Sequence, residues 1–114
     1  MVSVEDAQSL ALSLPETVAG SHFHIADFRV NNKIFATIRE AEGLMMVQLT
    51  PHEQSVFCAF NPAVVYPVPG GWGLKGATFF VLKKVRKTML ADALTIAWKN
   101  KAGSKRVQKY FPEK

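Results

Sequence analysis

The stretch FRVNNKIFATIREAEGLMMVQL, from Phe28 to Leu49, decides how this chain folds. Two apolar runs flank Asn31-Asn32, and a third follows Glu42-Gly43. Asparagine tolerates positive φ, so Asn31-Asn32 suits the tight turn of a two-residue hairpin. Lys33 to Arg39 reads as a strand with Ile34, Ala36 and Ile38 on one face and Phe35 and Thr37 on the other. Glu40 to Gly43 makes the next turn. Leu44 to Leu49 is nearly continuous in apolar character, which predicts a strand in the middle of a sheet. Three antiparallel strands in a meander need helices to cover one face.

The flanking sequence supplies them. Ser3 and Asp6 have the spacing of a capping box, and Val4, Ala7, Leu10, Ala11 and Leu14 recur at helical intervals until Pro15 stops the helix. PETVAGSH reads as a connector. Phe23 to Val30 reads as the first strand, with a bulge near Ala26-Asp27 to explain its imperfect alternation. Thr50-Pro51-His52-Glu53 is a helix start: threonine caps, proline fits the first turn, and Glu53 completes a capping box. That helix is expected to reach Ala59 with Val56 and Phe57 inward, and Asn61-Pro62 ends it. Val64 to Val68 reads as an edge strand because Pro67 and Pro69 cannot donate to a ladder. Gly70 to Gly76 reads as a loop and Ala77 to Val85 as a strand. Thr88 is expected to cap a long helix from Met89 to about Lys101, buried through Leu90, Leu94, Ala97 and Trp98. Gly103 breaks it, and Ser104 starts a short helix to Tyr110.

Composition fits one globular domain spanning residues 1–114, with 48% hydrophobic and 20% charged residues. No apolar run approaches the roughly 20 residues that cross a bilayer, and MVSVEDAQ lacks the character of a signal peptide. A cytoplasmic, monomeric protein is the expectation, with no membrane contact. Cys58 is the sole cysteine, so an internal disulfide is excluded. The net charge of +5 is uneven. Residues 1–82 carry four basic and seven acidic side chains, a balance of −3, whereas residues 83–114 carry ten basic against two acidic, a balance of +8. Such asymmetry points to a polyanionic partner.

The order of elements and several local words resemble the MmcQ/YjbR family. The words are Ala11-Leu12-Ser13-Leu14-Pro15-Glu16, Phe28 through Ala36, the Thr50-Pro51 start followed by Asn61-Pro62, and the closing Ala97-Trp98, Lys101-Ala102 and Ser104-Lys105-Arg106-Val107. The resemblance implies an α+β fold similar to CyaY (frataxin-like): an antiparallel sheet of about five strands with helices packed on one face. It also implies DNA binding through a double-wing arrangement. This chain departs from the family where members often carry a tryptophan just before the late strand. Ala77 or Thr78 stands there, and Trp72 lies earlier.

The candidate nucleic-acid contacts are Lys33 at the hairpin tip, Lys83, Lys84, Arg86 and Lys87 between strand and helix, and Lys99, Lys101, Lys105, Arg106 and Lys109 on the closing helices. On one face they would track phosphates. The plainer explanation is a solvated surface whose cations complement helix C-termini. Lys33 suits a wing that touches phosphate, whereas Glu40 and Glu42 at the other turn would repel one. Trp72 is a candidate for stacking on a base, although a loop tryptophan ordinarily folds back onto its sheet. His22 and His24 share a strand face and with His52 or Asp27 would make a weak metal set, so no metal or cofactor is assigned. Cys58 has no partner histidine and reads as an inert thiol. Glu16, Asp27 and Glu53 lie on different elements, and the glycines at 70, 71, 73 and 76 match no phosphate loop. No enzymatic activity is expected. The rival to DNA binding is a protein–protein adaptor or chaperone-like module on the open sheet face, suggested by Trp72, Tyr66, Phe79, Phe80, Tyr110 and Phe111.

Overall fold

The computed structural model describes residues 1–22 and 25–112, His22 in its backbone only. The elements run α1 (Val4–Leu12), β1 (Val18–His22), β2 (Ile25–Val30), β3 (Lys33–Arg39), a 3-10 turn (Glu40–Glu42), β4 (Leu44–Gln48), α2 (Pro51–Phe60), β5 (Val65–Pro67), α3 (Gly71–Leu74), β6 (Ala77–Val81), α4 (Lys87–Ala102) and α5 (Ser104–Tyr110). The six strands form one antiparallel sheet in the order β1-β2-β3-β4-β6-β5. The sheet thus has one strand more than expected. The addition is β1, which lies in the segment read as a connector. VAGSH has no alternating apolar pattern, and its pairing with β2 sets Gly20 opposite Asp27, where only a small residue fits.

The hairpin forms as its asparagines require. Asn31 and Asn32 have φ of 55° and 61°, the left-handed pair of a type I′ turn. Gly43 closes the next turn at φ 66°. The bulge lies elsewhere than at Ala26-Asp27. Phe28 pairs with Ala36 and Arg29 with Ile34, so Phe35 is the extra residue. This slip corrects the expected faces of β3: Phe35, Ala36 and Ile38 are buried in the core, and Ile34 turns to the opposite face. β4 is central, as its apolar run predicted.

α4 lies against the sheet, with Leu90, Leu94, Ala97 and Trp98 buried in one core with Phe28, Ile38, Met45, Val47 and Phe80. Burying each large side chain contributes about 1.5–3 kcal/mol. Ala7 and Ala11 let α1 approach the same core. The Trp98 indole donates to Pro15 O at 2.8 Å, which ties α4 to the segment after α1. Helix α2 has its full capping box, Thr50 and Glu53 each accepting from the other's backbone N–H. It runs one residue beyond Ala59, and Val56 points to solvent, not inward as expected, because Phe57 and Cys58 form the face packed on the core, with Phe57 edge-on to Phe80. Residues 71–74 form a helical turn where a loop was expected. Gln54 Nε2 fixes it, its two N–H bonds shared among Gly73 O and Ala77 O at 3.0 Å and Thr78 Oγ1 at 3.2 Å. β6 ends at Val81, as Lys84 and Val85 N–H turn back onto Val81 O. α4 starts at Lys87 with Arg86 as N-cap, so Thr88 lies inside the first turn and does not cap it.

Candidate nucleic-acid interface

The ten cations singled out by sequence do not form one strip. Lys83, Lys84, Arg86 and Lys87 sit at the N-terminal end of α4, and Lys99, Lys101, Lys105, Arg106 and Lys109 lie at or beyond its C-terminal end. At 1.5 Å per residue, Lys87 and Lys99 are about 18 Å apart along the axis. Asp92, Thr95 and Ile96 occupy the helix between them. α4 packs along β3, from the Gly43 turn to the Asn31-Asn32 hairpin, so charges at its two ends fall at opposite poles.

The first pole is mixed in sign. Leu82 N–H donates to Gly43 O, which places Lys83 and Lys84 beside the turn that carries Glu40 and Glu42. Complementing a helix dipole does not explain these cations, because they stand at the N-terminus of α4, where positive charge is unfavourable.

The second pole forms around the β2–β3 hairpin. The Asn31 side chain donates to Lys101 O at 3.4 Å, and Gly103 lies against Asn31. The hairpin tip with Lys33, the end of α4 with Lys99 and Lys101, and the start of α5 with Lys105 therefore share one end of the molecule. Lys109 lies one turn further along α5. Arg106 is the exception, since its Nε donates to Glu16 Oε1 at 3.0 Å. Tyr110 donates to Glu16 Oε2 at 2.8 Å. The Tyr110 hydroxyl, and after it Arg106, hold the Glu16 carboxyl below its ordinary range. Glu16 itself has φ 55°, uncommon for a side chain of its size, and the two partners fix it there. Arg106 is thus a clasp for α5, and Lys33, Lys99, Lys101, Lys105 and Lys109 are the cations this pole presents. Among the described residues none of these five stands within salt-bridge distance of a carboxylate. Lys99 and Lys109 lie over the rings of Phe111 and Tyr110, 4.8 and 5.2 Å from the centroids.

From this pole a groove of about 620 Å³ crosses the sheet face opposite α4. Its cationic lining is Arg29, Lys33, Arg39 and Lys101, and among the described residues no carboxylate lines it. Ile34, Met46 and Val68 give it an apolar floor, and Trp72 borders its far side. Arg29 is anchored from below by the buried Asp27, Nε to Oδ1 at 3.1 Å, and this hydrogen bond raises the guanidinium pKa further above its already high value. Arg39 lies over the ring of Phe79, which in turn meets Tyr66 edge-on. Trp72 does not fold back onto the sheet: it is 68% exposed, with Lys75 Nζ 5.7 Å from its ring centroid. Sequence reasoning missed Arg29 and Arg39. Strand alternation was the available signal, since both flank inward residues, Phe28 and Val30 for one and Ile38 for the other.

The aromatics that suggested an adaptor do not gather into an exposed patch. Phe79 and Phe80 are buried, and Trp72 alone of the six is exposed. Burial pushes the Cys58 thiol pKa up, away from nucleophilic use. Among the described residues no three of His, Cys, Asp and Glu converge as metal ligands. His24 and the side chain of His22 lie outside the described residues. No described helix is long and apolar enough to cross a membrane.

A single antiparallel sheet with helices against one face, and a cationic groove on the other, defines a two-layer α+β domain. The chain belongs to the YjbR family, whose model matches residues 12–100. It is similar in fold to the crystal structure of the Deinococcus radiodurans protein DR2400, a DUF419 domain, with a TM-score of 0.73 at 16% sequence identity, covering 96% of this chain and 87% of that one. No curated protein matches the sequence.

Proposed function

We propose that this YjbR-family domain is a non-enzymatic DNA-binding module that engages phosphates without sequence preference. The contact surface is the hairpin pole: Lys33, Lys99, Lys101, Lys105 and Lys109. The observation that carries the reading is the convergence of these five lysines from three separate elements with no ion-pair partner among the described residues. Phosphate contacts of this kind position a protein on DNA but read no bases. The pole at Lys83 to Lys87 serves less well, because Glu40 and Glu42 share its surface. The open face favours an anion over an adaptor's partner, because Lys33 and Lys101 line its groove with no ion-pair partner among the described residues, beside Arg29 and Arg39, which pair with Asp27 and Glu42. The test is titration of a random-sequence duplex by fluorescence anisotropy at low and moderate salt. Binding that falls steeply with salt is expected. Absence of binding at micromolar protein in low salt overturns the proposal.

A further inference from the structure

We infer that the groove on the open sheet face binds single-stranded DNA, with a base stacked on Trp72 and the strand's phosphates on Lys33, Lys101, Arg29 and Arg39. The inference rests on the DNA-binding reading above and names the form of DNA that this second surface takes. The groove starts where that pole ends, since Lys33 and Lys101 belong to both.

Its chemistry alternates in a way that a duplex cannot use. Duplex bases stack on one another and present only their edges, so an aromatic face and an apolar floor gain nothing from them. An unpaired base offers a π-face to Trp72 and an apolar surface to Ile34, Met46 and Val68. Trp72 is available for this, exposed and held at the groove's border by α3, which Gln54 anchors. The cations suit the backbone. Arg29 is held in place by Asp27, and Arg39 by the ring of Phe79 and by Glu42 Oε1 at 3.8 Å, so neither long side chain has to be ordered when a strand arrives. Among the described residues the groove's lining includes no carboxylate, and Asp27 and Glu42, the acids bonded to its arginines, are each paired by them.

The dimensions agree. From β2, which carries Arg29, to β6 there are three strand spacings, about 14 Å at 4.8 Å each. Trp72 lies beyond that. A strand advancing at least 3.4 Å per phosphate crosses this distance in about four nucleotides.

The experiment uses the whole chain and a fluorescein-labelled ten-residue oligothymidylate, which has no self-pairing, beside a random duplex. Variants are Trp72→Leu, Trp72→Phe and the pair Lys33→Gln with Lys101→Gln, all at surface positions. The expected result is binding of the oligothymidylate with quenching of Trp72 fluorescence. Trp72→Leu should weaken it about tenfold, as loss of one stacking contact predicts, while Trp72→Phe retains most of the affinity. Duplex affinity should be unchanged by either Trp72 variant and lowered by the lysine pair. Duplex binding without oligothymidylate binding overturns this inference and leaves the duplex reading intact. Failure of both ligands overturns both. Equal loss of single strand and duplex in Trp72→Leu overturns the stacking role. Competition by polyglutamate as effective as by oligothymidylate, or tighter binding of oligouridylate with the same dependence on Trp72, overturns the assignment to single-stranded DNA.

Discussion

Neutralising one pole of the molecule at a time separates the two basic clusters. In the first variant Lys33, Lys101 and Lys105 become Gln; in the second Lys83, Lys84, Arg86 and Lys87 do. All are surface positions, so folding should be preserved, and thermal melts check this. Each phosphate neutralised on a duplex contributes about −0.9 to the slope of log affinity against log salt. Five lysines at the hairpin pole therefore give a wild-type slope of about −4.5, or an affinity loss of about 500-fold between 50 and 200 mM salt. Removing three of them should leave a slope of about −1.8 and a loss of about 12-fold over the same range. The quadruple variant should keep the wild-type slope, because Glu40 and Glu42 adjoin that cluster and a rigid duplex meeting the hairpin pole does not reach it. Anisotropy titrations at four salt concentrations give the slopes. A flattened slope in the quadruple variant with an unchanged slope in the triple variant refutes the argument and moves the site to the start of α4.

Three further outcomes test the framework beneath that surface. Glu16→Gln removes a carboxylate whose pKa Tyr110 and Arg106 depress from its ordinary 4.5. A depressed acid stabilises the fold above its unfolded value and loses that contribution as pH falls through the lower folded value, so from about pH 5 downward the wild type should lose melting temperature more steeply than the variant. Parallel curves would contradict the clasp. Gly76→Ala should destabilise by roughly 3 kcal/mol or more in urea, because φ at Gly76 is +112° and a Cβ there runs into Leu49 O; a loss under about 1 kcal/mol would refute this close approach. Gln54→Leu should cost about 1–3 kcal/mol by leaving Gly73 O, Ala77 O and Thr78 Oγ1 without their shared donor. It should also weaken oligothymidylate binding through the loosened α3, and unchanged affinity would show that Trp72 needs no such support.

What the sequence determined by itself was local. Two asparagines in succession require a left-handed turn, Thr50-Pro51 with Glu53 requires a helix start, and Leu90, Leu94 and Trp98 at helical spacing require a buried stripe, because each depends only on neighbouring backbone geometry. The family words extended this to the overall fold. Tertiary structure decided the rest. VAGSH becomes a strand because β2 offers an edge to pair with, and the small Gly20 fits opposite Asp27. Phe35 as the bulged residue sends Ile34 outward, a switch of face that strict alternation does not reveal. The cations that are dense in the last third of the sequence separate to opposite poles because α4 is a rigid rod lying along β3. Lys33 meets Lys101 because an asparagine at the hairpin tip bonds the end of that rod. Arg29 and Arg39, sparse in a sequence region of net negative charge, reach the groove through strand pairing. Distance along a chain fixes turns and faces, whereas a charged surface depends on which distant segments the sheet and its covering helix bring side by side.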